Sequence, residues 1–253
     1  MKKALTIAGF DPSGGAGLQA DLKVFQILGV YGLSAVAALT AQNTRGVDSV
    51  EPVSRQFLKK QLDLLLSDLV PDATKMGMLL TEDNVRVVAH IIRKYSLRNL
   101  VLDPVMISSS GKRLAQRNVP KLLREAILPL CKVITPNIHE ASILAGLKIR
   151  SQEEMKKAAV ILKDAGPDMV IITGGHLEGL AIDVMYDGSF HYLKARKRPG
   201  EFHGTGCTFS AAITAFLAQG CASLDAAKKA KEFMAKAFQR TIGTGSGMKL
   251  FAI

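Results

Sequence analysis

The sequence predicts an α/β fold built on a mainly parallel sheet, and three observations predict it. Short β-rich runs recur between segments whose apolar residues fall at helical spacing. Glycine-rich or polar turns follow those runs directly. The repeated strand-helix-strand order also suits a chain of 253 residues, 48% of them hydrophobic, that can bury one large core. Sheets of this kind collect ligands beyond the C-terminal ends of their strands, so the turns are where chemistry is expected.

The strand runs are KALTIAG, LSAVAAL, ATKMG, NLVLDPV, KVITPN and MVIITGG. Helical spacing fills the gaps from Gln56 to Leu69 and from Thr81 to Tyr95, where Thr81 is a capping residue and Val85, Val88, Ile91 and Ile92 form the apolar stripe. Ser151 and Glu154 have the spacing of a capping box ahead of MKKAAVILKDAG, which leads into MVIITGG. AIDVMYDGSFHYLKA alternates apolar and polar residues around Asp187-Gly188, the signature of a hairpin, and is expected at an antiparallel edge of the sheet. Two last helices are expected from about Gly206 to Gln219 and from Ser223, as N-cap, to Ile242, before a glycine-rich tail. No repeat or low-complexity linker interrupts the chain, so residues 1–253 read as a single domain.

Composition narrows the function. MKKALTIAGFDP begins like a basic leader, but its apolar run breaks at Gly9 and Asp11, and it reads as a first strand. No apolar run approaches the roughly 20 residues that span a bilayer, so no membrane role is expected. Cys131, Cys207 and Cys221 are odd in number and lack zinc or disulfide spacing, which points to a reducing cytoplasm. The net charge of +11 would suit nucleic acid, but Lys59-Lys60, Lys156-Lys157 and Lys228-Lys229 lie in separate helical segments, and only Lys194 to Arg198 is dense. The charge reads instead as a surface that attracts anionic nucleotides, without a nucleic-acid partner.

The most informative string is His203-Gly204-Thr205-Gly206-Cys207-Thr208-Phe209-Ser210, running into AAITAFLAQ. Small residues at a helix entrance let backbone amides face an open site, and the helix dipole adds positive potential, so Gly204 and Gly206 build an anion hole. In phosphoryl transfer such donors would face the developing charge. Cys207 is expected to have thiolate character there and to take the proton of a substrate alcohol, although a lone cysteine is most often a small buried hydrophobe. A second loop, Gly9 to Gly17, follows the first strand and is not a P-loop, since no Gly-Lys-Ser/Thr ends it. It is either a flexible turn or a close backbone approach to a flat substrate, with Asp21 supplying a carboxylate.

Taken together, IAGFDPSGGAGLQADLK, ALTAQNTRGV, KMGML, DPVM, TPNIHEA, GGHLEG and HGTGCTFSAAI resemble the hydroxymethylpyrimidine and phosphomethylpyrimidine kinases of thiamine biosynthesis, within the ribokinase-like superfamily. The resemblance runs from about residue 4 to residue 240. It implies a ribokinase-like three-layer α/β/α sandwich, a homodimer, and two transfers from ATP, first to the hydroxymethylpyrimidine alcohol and then to its monophosphate. It also implies that Gly9, Asp21, Gln42, Met78 and Val105 line the pyrimidine pocket, with Gln42 presenting its amide to the ring. On the nucleotide side it implies that Asp103 and Glu140 organise Mg2+ and the phosphates directly or through water, with Asn137 near the phosphates and Thr173 beside the nucleotide. Taken without the resemblance, Asp103 is equally a strand-end cap before Pro104 and Glu140 a first-turn helix charge. His176 matches the pattern without an assigned role, and His203 either contacts nucleotide or caps its loop.

Two departures stand out. The family commonly carries a basic residue in a KSG-like stretch after DPVM, where this chain has Ile107-Ser108-Ser109-Ser110-Gly111-Lys112. The family's C-terminal GPxNH pattern is replaced by IGTGSGMKLFAI. The nearest alternative function is a pyridoxal or pyridoxine kinase, which shares the glycine-cysteine turn; AQNT and GGHLEG favour the aminopyrimidine. A more distant alternative is a non-catalytic metabolite sensor or nucleic-acid-binding protein, against which Cys207, Asp103 and Glu140 all argue.

Overall fold

The computed structural model describes residues 1–108, 111–175, 181–195 and 198–253. His176, the GGHLEG stretch beyond Gly175, and Ser109-Ser110 of the departing loop lie outside the described residues. The main sheet runs in the order β3-β2-β1-β4-β5-β6-β7-β8-β9. Six of its strands coincide with the six β-rich runs: β1 (Lys3–Phe10), β2 (Tyr31–Asn43), β4 (Ala73–Met76), β5 (Leu100–Leu102), β6 (Val133–Ile134) and β7 (Met169–Ile172). They pair in parallel throughout.

Both ends of the sheet are antiparallel. β8 (Ala181–Tyr186) and β9 (Phe190–Ala195) form the hairpin expected around Asp187-Gly188. At the opposite edge, β3 (Gly46–Pro52) folds back on β2, a hairpin the sequence reading did not contain. Its strand GVDSVEP is mostly exposed and polar, so it lacks the apolar run that marked the others.

Helices cover both faces, which makes the three layers. Strand residues alternate between faces, so Leu5 and Ile7 join one core while Ala4 joins the other. The first core packs α2 (Arg55–Leu66), α3 (Glu82–Lys94), α5 (Ile138–Ala145) and α6 (Gln152–Lys163) on the sheet, with the short α4 (Val119–Leu122) and the irregular turns that follow it. The second packs α1 (Gly17–Ile27), α7 (Thr205–Ala218) and α8 (Ser223–Ala237). α7 is buried along most of its length, and its run of Ala, Thr and Ser lets the sheet, α1 and α8 all approach closely.

Three local expectations are corrected. Ser151 caps α6, but the Glu154 carboxylate accepts from the amide of Arg150 rather than from Ser151, so the box is only half formed. Ser223 is the first residue of α8 and caps nothing; the flanking Ala222 has no side chain able to. α8 stops at Ala237, and Thr241–Ile242 (β10) instead pairs antiparallel with Leu250–Phe251 (β11), which gives the tail a defined path. Among the described residues, no helix is long and apolar enough to cross a membrane.

Candidate active site

The C-terminal ends of the parallel strands open into a cleft of about 1450 Å³. The loop after β1 is shaped around one buried side chain, Asp11. Its Oδ1 accepts from the Ser13 amide and hydroxyl, both at 2.8 Å, and its Oδ2 accepts from the amides of Gly15 (3.1 Å) and Ala16 (2.8 Å). His203 Nε2 lies 2.9 Å from the same Oδ2. Burial acts to raise the Asp11 pKa, but the His203 and Ser13 hydrogen bonds outweigh it and hold the carboxyl below its usual range. His203 therefore braces the glycine loop through Asp11, and it also borders the cleft.

The second glycine turn docks on the first. Gly204 has φ +79°, and a Cβ there would fall on the Gly15 carbonyl, so the two backbones meet directly. Gly204 is the N-cap of α7, whose first backbone bond runs from Thr208 to Gly204. The amides of Thr205, Gly206 and Cys207 thus stand outside the helix's own ladder, and all three residues border the cleft. Gly204 and Gly206, the residues expected to build an anion hole, both border the cleft at this turn.

Cys207 lines the cleft, but its expected thiolate is corrected. Burial pushes the thiol up to about 12, and the carboxylates of Asp103 and Asp21 add to that. Against them stand Lys75 and a hydrogen bond from the Gly17 amide, which do not compensate. The helix dipole alone does not overcome desolvation at this depth, and the resting form is the thiol.

Lys75 is the residue that sequence reasoning missed. It is fully buried in β4, and its Nζ lies 2.6 Å from Asp21 Oδ1 and 3.9 Å from Asp103 Oδ2. Burial works against the ammonium, but Asp21, Cys207 and Asp103 together hold its pKa above the usual lysine value. The signal was available: a lysine inside ATKM, a strand buried on both faces, needs a partner.

That partner corrects the expectation for Asp21. Its other oxygen accepts from the Thr6 hydroxyl at 2.6 Å, and the side chain is wholly buried and does not border the cleft. Both oxygens are committed, so Asp21 anchors Lys75 instead of touching a ligand. The remaining residues expected at the pyrimidine pocket, Gly9, Gln42, Met78 and Val105, do share one wall of the cleft. A Cβ at Gly9 would meet the end of the Met78 side chain, so a larger residue there would push Met78 aside.

At the other side of Cys207, Asp103 borders the cleft beneath Gly206 and accepts a 3.0 Å hydrogen bond from Ser210. Burial raises its pKa, opposed by Lys75 and Ser210. Glu140 lies behind it, buried and off the cleft surface. Asn137 and Glu140 form a full capping box at the start of α5: Asn137 Oδ1 accepts from the Glu140 amide at 3.0 Å, and Glu140 Oε2 accepts from the Asn137 amide at 2.9 Å. Burial and the neighbouring Asp103 charge push the Glu140 carboxyl up to about 8. Glu140 therefore serves as the capping-box partner of Asn137 and not as a charge at the helix start, while Asn137 borders the cleft together with Thr173. Two buried carboxylates, with the charge of Asp103 raising the pKa of Glu140, fit a site completed by a cation.

Beyond Thr173 the cleft turns basic. Lys194, Arg198, Lys228 and Lys231 border it, with Lys231 paired to Asp183. This is where the excess positive charge reaches the site.

The match to known proteins is extensive. Residues 11–251 fit the phosphomethylpyrimidine kinase family. The chain belongs to the phosphomethylpyrimidine kinase family. It is 43% identical to the hydroxymethylpyrimidine/phosphomethylpyrimidine kinase of Bacillus subtilis over 97% of this chain and 92% of that protein. The crystal structure of phosphomethylpyrimidine kinase from Clostridium difficile superposes with a TM-score of 0.84 at 38% identity, covering 94% of this chain and 100% of that one. The pyridoxal kinase of Staphylococcus aureus in complex with AMP-PCP and pyridoxal superposes with a TM-score of 0.92 at 38% identity, covering 99% and 93%. Membership makes this chain a kinase with the ribokinase-like fold read from its sequence. Phosphomethylpyrimidine kinase and pyridoxal kinase structures share this fold, so the architecture alone does not choose the acceptor.

Proposed function

We propose that this kinase transfers the terminal phosphoryl group of ATP to 4-amino-5-hydroxymethyl-2-methylpyrimidine and then to the resulting monophosphate, serving thiamine biosynthesis. The observation that carries the reading is the position of the α7 N-terminus. Its three unladdered amides and Cys207 border the same cleft as the Gln42-Met78-Val105 wall on one side and the basic Lys194-Lys228 end on the other. An acceptor alcohol and a nucleotide laid in those two halves would meet at the anion hole, where fixed dipoles stabilise the charge that builds on the migrating group.

In this reading Gln42 presents its amide to the aminopyrimidine ring, and Gly9 lets the ring lie against backbone. Cys207 accepts the alcohol's proton after its own proton has left, and Asp103, in hydrogen-bond contact with the thiol, is placed to take that proton. Lys75 supplies the positive charge that makes a transient thiolate tolerable. Asp103 and Glu140 would organise Mg2+ directly or, while Asp103 carries that proton, through water, and the ion would supply charge neutralisation to the phosphates. Asn137 and Thr173 support the nucleotide. The reading includes a cytoplasmic homodimer without nucleic-acid or membrane partners, and light scattering on the purified protein checks the dimer.

The test is a phosphorus NMR time course with Mg-ATP and hydroxymethylpyrimidine, with pyridoxine in a parallel sample. Monophosphate followed by diphosphate is the expected result. Transfer to pyridoxine alone would move the chain to the second reading, a pyridoxal or pyridoxine kinase, which the likeness to the Staphylococcus aureus structure favours.

A further inference from the structure

The C-terminal tail ends with Phe251 in the second core, and the stretch before it is held by other contacts. Residues 242–247 are exposed, yet the segment crosses the mouth of the cleft on a set of specific bonds. The Gly247 amide donates to Thr44 Oγ1 at 3.3 Å, and the Met248 amide donates to the Thr44 carbonyl at 2.8 Å, at the turn between β2 and β3. One residue further, the Lys249 carbonyl accepts from the His203 amide at 2.9 Å, and the Lys249 amide donates to Glu201 at 2.9 Å. Leu250 is buried, and together with the His203 ring it occupies the space where a Gly15 side chain would stand. Phe251 then anchors the segment by packing with Phe202 and Phe238, at ring separations of 6.1 and 5.2 Å.

The tail therefore touches three separate pieces of the site: the β2–β3 turn next to Gln42, the glycine loop at Gly15, and the turn that leads into Cys207. Met248 itself borders the cleft, as do Asn43, Gly46 and Val47 of the adjoining turn.

We infer that the segment from Gly245 to Leu250 is a working wall of the site, in which Met248 limits which acceptor ring fits and Leu250 holds the two glycine turns in register. The part concerning the acceptor rests on the kinase reading above; the part concerning the turns does not. Met248 acts on the substrate by contact, and Leu250 and Gly247 are positioning residues. Gly247 is tied to this path because a Cβ there would overlap the Thr44 carbonyl. This is also the stretch where the chain departs from the family's C-terminal GPxNH pattern.

Three variants test the inference without removing a charged group or a large part of the core. Steady-state kinetics would be measured for Met248→Ala, Gly247→Ala and Leu250→Ala, with hydrogen-deuterium exchange followed over residues 11–17, 43–47 and 201–207. Met248→Ala and Gly247→Ala are expected to raise the acceptor KM about threefold to tenfold and leave the ATP KM unchanged, while Leu250→Ala lowers kcat on the order of tenfold. Gly247→Ala should speed exchange at 43–47, and Leu250→Ala at 11–17 and 201–207. Unchanged acceptor KM in the first two variants overturns the role of Met248, and unchanged exchange in the last two overturns the role of the tail. If the unmodified protein phosphorylates neither ring, the kinase reading fails, while the exchange measurements still decide whether the tail holds the turns.

Discussion

Lys75 Nζ sits 2.6 Å from Asp21 Oδ1 with neither side chain exposed, and its positive charge acts on both Asp103 and Cys207 at the floor of the cleft. Removing one partner of such a pair leaves the other as a buried, uncompensated charge. Lys75→Met is expected to cost about 3–5 kcal/mol of stability, and much of that should return in Lys75→Met/Asp21→Asn, where no lone carboxylate remains. Urea unfolding of the two singles and the double closes the cycle; additive losses would mean that the two side chains do not act as a pair.

The height of the Cys207 thiol has a direct consequence for its reactivity. A thiol pushed up to about 12 is almost wholly protonated at neutral pH. Its alkylation by iodoacetamide should therefore be slow near pH 7 and should climb roughly tenfold for each added pH unit over the next several. Cys207→Ala should fold normally and lose about 10²–10⁴-fold in kcat. Mass spectrometry of the labelled peptide and turnover of the variant check the two statements separately, and near-normal turnover would remove Cys207 as proton acceptor.

Glu140 makes stability depend on pH in the less familiar direction. Its folded-state value of about 8 lies above the 4.5 of an unperturbed glutamate, so the folded protein holds the extra proton between those limits. The stabilisation from this group is complete below about pH 4.5 and is lost as the pH rises through about 8. In magnesium-free and nucleotide-free buffer, unfolding midpoints should fall across that window, and Glu140→Gln, which can still accept from the Asn137 amide, should flatten the decline. A slope unchanged in Glu140→Gln would assign it to another group.

The layers, the six parallel strands and the β8–β9 hairpin were legible because each follows from a local pattern of apolar spacing and turn residues. The glycine turn into α7 was legible for the same reason: glycines ending where a helix begins is a local signal. Asp21 and Lys75 were not. Both stand in recognisable motifs, but their pairing across 54 residues appears only after β1 and β4 are set side by side. Glu140 carried two readings, a first-turn helix charge and a partner of magnesium and phosphates, and only its burial and its capping-box bonds to Asn137 became visible in the structure. The β2–β3 hairpin was hidden because an exposed, polar strand carries no apolar signature. The Cys207 thiolate was misjudged because a helix N-terminus is visible in sequence and the depth of the cleft is not.

The contact between Asp11 and His203 spans 192 residues of chain, and the tail reaches Thr44 across 203. Closures that long are disfavoured until most of the intervening chain has already found its place. The sheet and its helices can therefore assemble while the two glycine turns are still apart, and the ligand cleft should be among the last regions to gain protection in refolding. Nucleotide added during refolding would then act on the end of the process, selecting molecules whose turns have met.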